Sequence, residues 1–132
     1  MAKIAFIGCG NMGGAMLRRI LKGKHAEPAE VLVADKNREL LESLNKELGV
    51  QITGDNKLAA KADCVFLAVK PQFIEGVLEE VASVISPNAL VISIVMSYSV
   101  QRIAGLLSNE HAHIVRVMPN TPALVGEGAL SW

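Results

Sequence analysis

The chain has 132 residues, 51% of them hydrophobic, a size and composition that suit one domain around one buried core. Thirteen Lys and Arg are balanced by thirteen Asp and Glu, so no surplus of positive charge is present to neutralise the phosphates of nucleic acid or an anionic membrane. The longest apolar stretches, such as residues 89–96, are about a strand long, far short of the roughly 20 residues that span a bilayer.

Residues 3–8 form a short apolar run ending in glycine. After it Met12, Ala15, Met16, Arg19 and Ile20 fall at helical spacing within residues 11–22. This reads as strand, tight turn, helix. Residues 30–35 repeat the strand pattern. Residues 38–48 place Leu40, Leu41, Leu44 and Leu48 on one helical face, and Gly49 stops that helix. A brief third strand over 50–53, a short helix over 56–62 and a nearly continuous apolar run over 63–69 follow; such a run suits a strand covered on both faces in the middle of a parallel sheet. Pro71 opens a helix through about Val84, Pro87 and Asn88 break it, and residues 89–95 give the fifth strand. A helix over 100–107 and a sixth strand over 114–117 complete the alternation. Strands alternating with helix-length crossovers argue for an α/β fold of the Rossmann type, a doubly wound parallel sheet of about six strands in the order 3-2-1-4-5-6.

Cys9 and Cys64 are too few and too isolated for a disulfide scaffold or a metal site and read as small buried apolar residues of a reducing compartment. With no signal-peptide pattern after Met1, the cytoplasm is the expected location.

Gly8-Cys9-Gly10-Asn11-Met12-Gly13 is a G-x-G-x-x-G sequence. In such a loop Gly8 permits the tight turn out of the strand, Gly10 lets backbone approach a pyrophosphate, and Gly13 lets the helix pack close to the sheet. The helix start with Asn11 and Met12 adds unpaired N–H groups and the positive end of a dipole, which favour an anion. The pattern alone is unspecific, but here it lies between a strand and a helix, and Asp35 follows Gly13 by 22 residues, near the spacing of about 20 at which an acid reaches a ribose. A packing turn without a ligand and an S-adenosylmethionine site are the competing readings; the later proline-rich motif fits the second poorly. Asp35 can accept from a free ribose 2′-hydroxyl, whereas Lys36, Asn37 and Arg38 can accommodate a 2′-phosphate if Asp35 turns aside. The balance tilts slightly to NADP over NAD.

Leu67-Ala68-Val69-Lys70-Pro71-Gln72 ends the fourth strand, on the edge where doubly wound sheets bind ligands. Lys70 can face cofactor phosphates there, or be a surface lysine before a helix. Residues 116–128 place Pro119 and Pro122 around Asn120 and Thr121, a rigid polar loop at the end of the sixth strand.

Residues 7–13, 67–72 and 117–128, in this order, closely resemble pyrroline-5-carboxylate reductase, and the resemblance runs the whole chain. The first motif is shared with β-hydroxyacid dehydrogenases and coenzyme F420-dependent NADP reductases; the A-V-K-P-Q and M-P-N-T-P motifs are the specific ones. The resemblance implies hydride transfer from NAD(P)H to 1-pyrroline-5-carboxylate, giving L-proline. It implies cofactor contacts from the first loop and from Ala68, Val69, Lys70 and Pro71, an adenosine-side position for Asn56, and a nicotinamide-side position for Pro119, Asn120 and Thr121. Val95-Met96-Ser97 stands where that family usually has Ala-Ala-Gly, bulk that bears on the nicotinamide site. The family continues into a helical domain that forms the dimer and completes the substrate pocket. Residues 1–118 therefore read as the dinucleotide-binding domain and 119–132 as the start of a connection to that domain, with a homo-oligomer expected for the longer protein.

No side chain here need act as a catalytic acid, because the cofactor carries the hydride and the protein orients donor and acceptor. His25, His111 and His113 lie outside the motifs and read as solvent-facing. Glu127 is the carboxylate of the substrate-side loop. The alternatives are a stand-alone dinucleotide-binding module without catalysis and another F420-dependent type of NADP oxidoreductase. The shared fold cannot separate them.

Overall fold

The computed structural model describes residues 3–9, 11–24, 26–86, 88–95, 99–107 and 113–117, with backbone only for Asn11 and Met12. Six strands, β1 (Ile4–Ile7), β2 (Val31–Ala34), β3 (Gln51–Thr53), β4 (Cys64–Leu67), β5 (Leu90–Ser93) and β6 (His113–Arg116), form one sheet. Its order is β3-β2-β1-β4-β5-β6, the expected one, and every pairing is parallel. The helices are α1 (Asn11–Lys22), α2 (Arg38–Leu48), α3 (Asn56–Ala59), α4 (Ile74–Val81) and α5 (Val100–Leu107).

Side chains alternate across the strands, so β1 sends Phe6 to one face of the sheet and Ala5 and Ile7 to the other. Phe6 joins Leu17 of α1 and Leu41 and Leu44 of α2. Ala5 and Ile7 join Val65 and Leu67 of β4 and the buried stripe Ile74, Val77, Leu78 and Val81 of α4, with Ile103 and Leu107 of α5. Phe6 and Phe66, paired in register across β1 and β4, stack with ring centroids 4.5 Å apart. At the far edge Val115 of β6 is 45% exposed.

Local chemistry sets the helix ends. Asn37 caps α2, its side chain accepting from the Leu40 N–H at 3.1 Å, which satisfies one orphan donor of the first turn. Gly49 ends α2 at φ +78°, its N–H bonding to the Asn45 carbonyl. Arg18 of α1 grips Glu47 of α2 with two bonds, 2.9 and 3.0 Å, and Arg102 of α5 meets Glu75 of α4 at 2.9 Å.

Several boundaries differ from expectation. The regular strands end at Ile7, Ala34, Leu67 and Ser93, a residue or two early, but the ladder runs on by single bonds: Gly8 N–H to Ala34 O, Ala68 N–H to Ile7 O and Ile94 N–H to Leu67 O. Glu30 belongs to a 3-10 turn, Pro28–Glu30, rather than to β2. The segment expected as one helix over 71–84 starts with a 3-10 turn, Pro71–Phe73, closed by Phe73 N–H to Lys70 O, before α4 proper. α3 stops at Ala59, and the N–H groups of Lys61 and Ala62 bond to the Leu58 and Ala59 carbonyls in tighter i→i+3 turns. The sixth strand starts at His113 instead of Ile114.

Candidate cofactor site

The C-terminal ends of β1, β2 and β4 meet at one edge of the sheet, where the chain turns from β1 into α1. Gly8 makes that turn at φ +80°, and a Cβ there would lie 2.8 Å from the Val69 side chain and 3.0 Å from the Ala68 backbone. Both the backbone angle and the lack of space require glycine. Gly13, in the first turn of α1, comes so near β4 that a Cβ would lie 2.9 Å from that of Ala68, the close helix approach expected of the third glycine.

Asp35 follows β2 directly and spans two loops. Its Oδ2 accepts from the Cys9 N–H at 3.1 Å and its Oδ1 from the Asn37 N–H at 2.9 Å. Burial, and then the negative charge of Asp35, push the Cys9 thiol up to about 11, so at neutral pH Cys9 is a buried neutral thiol and no nucleophile.

A cleft of about 500 Å³ opens at this edge. Seven expected site residues line it: Gly8, Asp35, Lys36, Asn56, Ala68, Val69 and Lys70. Asn56 donates from its side-chain amide to Glu80 of α4 at 3.0 Å. Four others play different parts. Gly13 packs the helix, Asn37 caps α2, Arg38 is 89% exposed and faces Glu42 at 3.6 Å, and Pro71 starts the 3-10 turn without lining the cleft. Asn11 and Met12 stand in the first turn of α1. Gly10, Pro119, Asn120 and Thr121 lie outside the described residues, as do Met96, Ser97, His25, His111 and Glu127. His113 is exposed, as expected; Cys9 is buried as expected, whereas Cys64, at the start of β4, is only half-buried.

Sequence reasoning missed one wall of the cleft. Phe73, Gly76, Val77 and Glu80 line it at i, i+3, i+4 and i+7, one face of the turn and helix that follow Lys70. That spacing, beginning at a ligand-binding strand end, was the available signal. Gly76 opens onto the cleft, with nothing within 4 Å of where its Cβ would be.

The cradle at Gly8, the acceptor Asp35 and the largely apolar lining suit a dinucleotide. Among the described residues no group of three or more His, Cys, Asp or Glu could hold a metal ion, and no helix is long and apolar enough to cross a membrane.

Residues 3–97 match the family described as NADP oxidoreductase, coenzyme F420-dependent. The chain belongs to this family. Within the NADP oxidoreductase family its resemblance to pyrroline-5-carboxylate reductases is borne out by relatives of that name. The reductase of Escherichia coli K12 is 35% identical over 98% of this chain and 48% of its own length; that of Haemophilus influenzae is 41% identical over 95% and 45%. The pyrroline-5-carboxylate reductase structure from Coxiella burnetii superposes with a TM-score of 0.86 at 34% identity, covering 94% of this chain and 46% of that one. The Plasmodium falciparum pyrroline carboxylate reductase, solved with NADP bound, gives 0.79 at 28% identity over 96% and 45%. The chain spans about half the length of the curated relatives it matches.

Proposed function

We propose that this chain is the nicotinamide-dinucleotide-binding part of a pyrroline-5-carboxylate reductase. The observation that carries the reading is the Gly8 cradle braced by Asp35 at the mouth of the cleft, in a chain whose relatives bear that name over nearly its whole length. When bound, NAD(P)H supplies a hydride to the imine carbon of 1-pyrroline-5-carboxylate, and the ring nitrogen takes a proton, giving L-proline and oxidised cofactor. The protein's part is to hold the dinucleotide: helix α1 and the loop before it meet the pyrophosphate, Asp35 meets the adenosine ribose, and the wall from Phe73 to Glu80 flanks the adenosine end. Lys36 and Arg38 pull towards NADP, as the family description does, and Asp35 pulls towards NAD. The reading extends to a cytoplasmic, homo-oligomeric enzyme whose helical domain after residue 118 completes the substrate pocket.

Adding NADH or NADPH and then 1-pyrroline-5-carboxylate, while following dihydronicotinamide fluorescence, tests this in two steps. Saturable binding supports the dinucleotide site, and substrate-dependent loss of the signal supports the reductase. No binding of either cofactor overturns the proposal. Binding without turnover supports the second reading, a dinucleotide-binding module without catalysis.

A further inference from the structure

We propose that Asp35 makes this site select NADH over NADPH, an inference that rests on the dinucleotide-binding reading. A preference for NADP at this sequence requires Asp35 to turn away from the ribose. The carboxylate instead stays at the cleft, held by N–H groups of two separate loops, Cys9 at 3.1 Å and Asn37 at 2.9 Å. Rotating it outward would leave the part-buried Cys9 N–H without its acceptor, and leaving a buried donor unpaired is unfavourable. Each carboxylate oxygen has a second lone pair, so the tethered group still accepts from a ribose hydroxyl.

A 2′-phosphate in the same place offers only acceptors and a charge of about −1.5 to −2 at neutral pH, set against a fixed negative group. Two such groups in contact repel. The cations that would offset this are less well placed. Arg38 is 89% exposed and faces Glu42 on the next turn of α2 at 3.6 Å. Lys36 lines the cleft but is exposed, so solvent and salt screen both. Among the described residues the remaining charges on the cleft are Lys70, beyond β4, and Glu80 of α4, which is bonded to Asn56. They are opposite in sign and add no net positive charge.

The test is fluorescence titration of the full chain with NADH and with NADPH, at low and at physiological ionic strength, for the unaltered protein and for Asp35→Ser. The unaltered protein should bind NADH at least about tenfold more tightly than NADPH. Asp35→Ser should shrink or invert that ratio by about tenfold or more, through weaker NADH and stronger NADPH binding. Equal or tighter NADPH binding by the unaltered protein overturns the inference while leaving the dinucleotide site standing. Failure to bind either cofactor removes the site reading and this inference with it. Thermal unfolding checks that Asp35→Ser folds, and if it does not, the ratio in the unaltered protein decides the question.

Discussion

Gly13 and Ala68 approach as closely as a glycine permits, since a Cβ on Gly13 would stand 2.9 Å from that of Ala68. This contact pins the start of α1 to the end of β4. Helix propensity alone favours Gly13→Ala by about 1 kcal/mol. The contact outweighs it: Gly13→Ala should destabilise the fold by roughly 1–3 kcal/mol, and pairing it with Ala68→Gly should recover part of that loss. Urea unfolding of the two single variants and the double variant measures the coupling. Strict additivity would show that the Gly13–Ala68 contact is not the reason for glycine.

Asn37 acts on stability first. Its side chain caps α2 through the Leu40 N–H, so Asn37→Ala should cost about 1 kcal/mol, while Asn37→Ser, which keeps a capping oxygen, should cost little. Chemical denaturation distinguishes the two. Equal losses would argue against capping.

Glu80 holds the amide of Asn56 at the cleft. Both groups are partly solvated, so Glu80→Ala should leave the unfolding midpoint nearly unchanged but lower cofactor affinity about threefold to tenfold. Glu80→Gln keeps an acceptor and should restore most of the affinity. Calorimetric titration with NADH reads both. Unaltered affinity in Glu80→Ala would remove Glu80 from the proposed cofactor site.

Alkaline pH should weaken the fold. Cys9 and Cys64 are both pushed from 9.0 up to about 11, chiefly by burial and then by Asp35 and Asp63 respectively. The folded chain therefore keeps protons that the unfolded chain releases near pH 9. Their contribution is full below that pH and is lost as pH rises from about 9 to about 11, on the order of 2 kcal/mol for Cys9. The denaturant midpoint should fall across this window, and less steeply in the Cys9→Ala/Cys64→Ala protein. Identical slopes in the two proteins would rule the thiols out.

The sequence made the architecture readable because its signals were local and strong. The helical spacing of Leu40, Leu41, Leu44 and Leu48 and the Gly49 stop define α2 to the residue, and the apolar run of β4 marks a central strand. Strand ends were less legible. Gly8 and Ala68 still bond into the ladder although the regular pairing has ended, and no side-chain pattern records that. The site was readable where chemistry needs a particular residue, as at Gly8 and Asp35. It was not readable on the wall from Phe73 to Glu80, since Val77 also packs into the core and its apolar character is explained without a ligand. Asn37 and Arg38 admit two roles at once for a related reason: side chains able to bind a phosphate are equally able to cap or decorate a helix start, as here.

The order of the sheet also sets the order in which the protein can be made. β1 leaves the ribosome first yet lies between β2 and β4, and at about 5–20 residues per second its two neighbours arrive seconds apart. Gly8, Cys9 and Asp35 can come together once β2 has emerged, whereas Ala68, Lys70 and the α4 wall exist only after β4. Until then Phe6, fully buried in the finished fold and stacked on Phe66, lacks its aromatic partner. Between the emergence of β2 and that of β4, one edge of β1 therefore stays unpaired and open to wrong pairing.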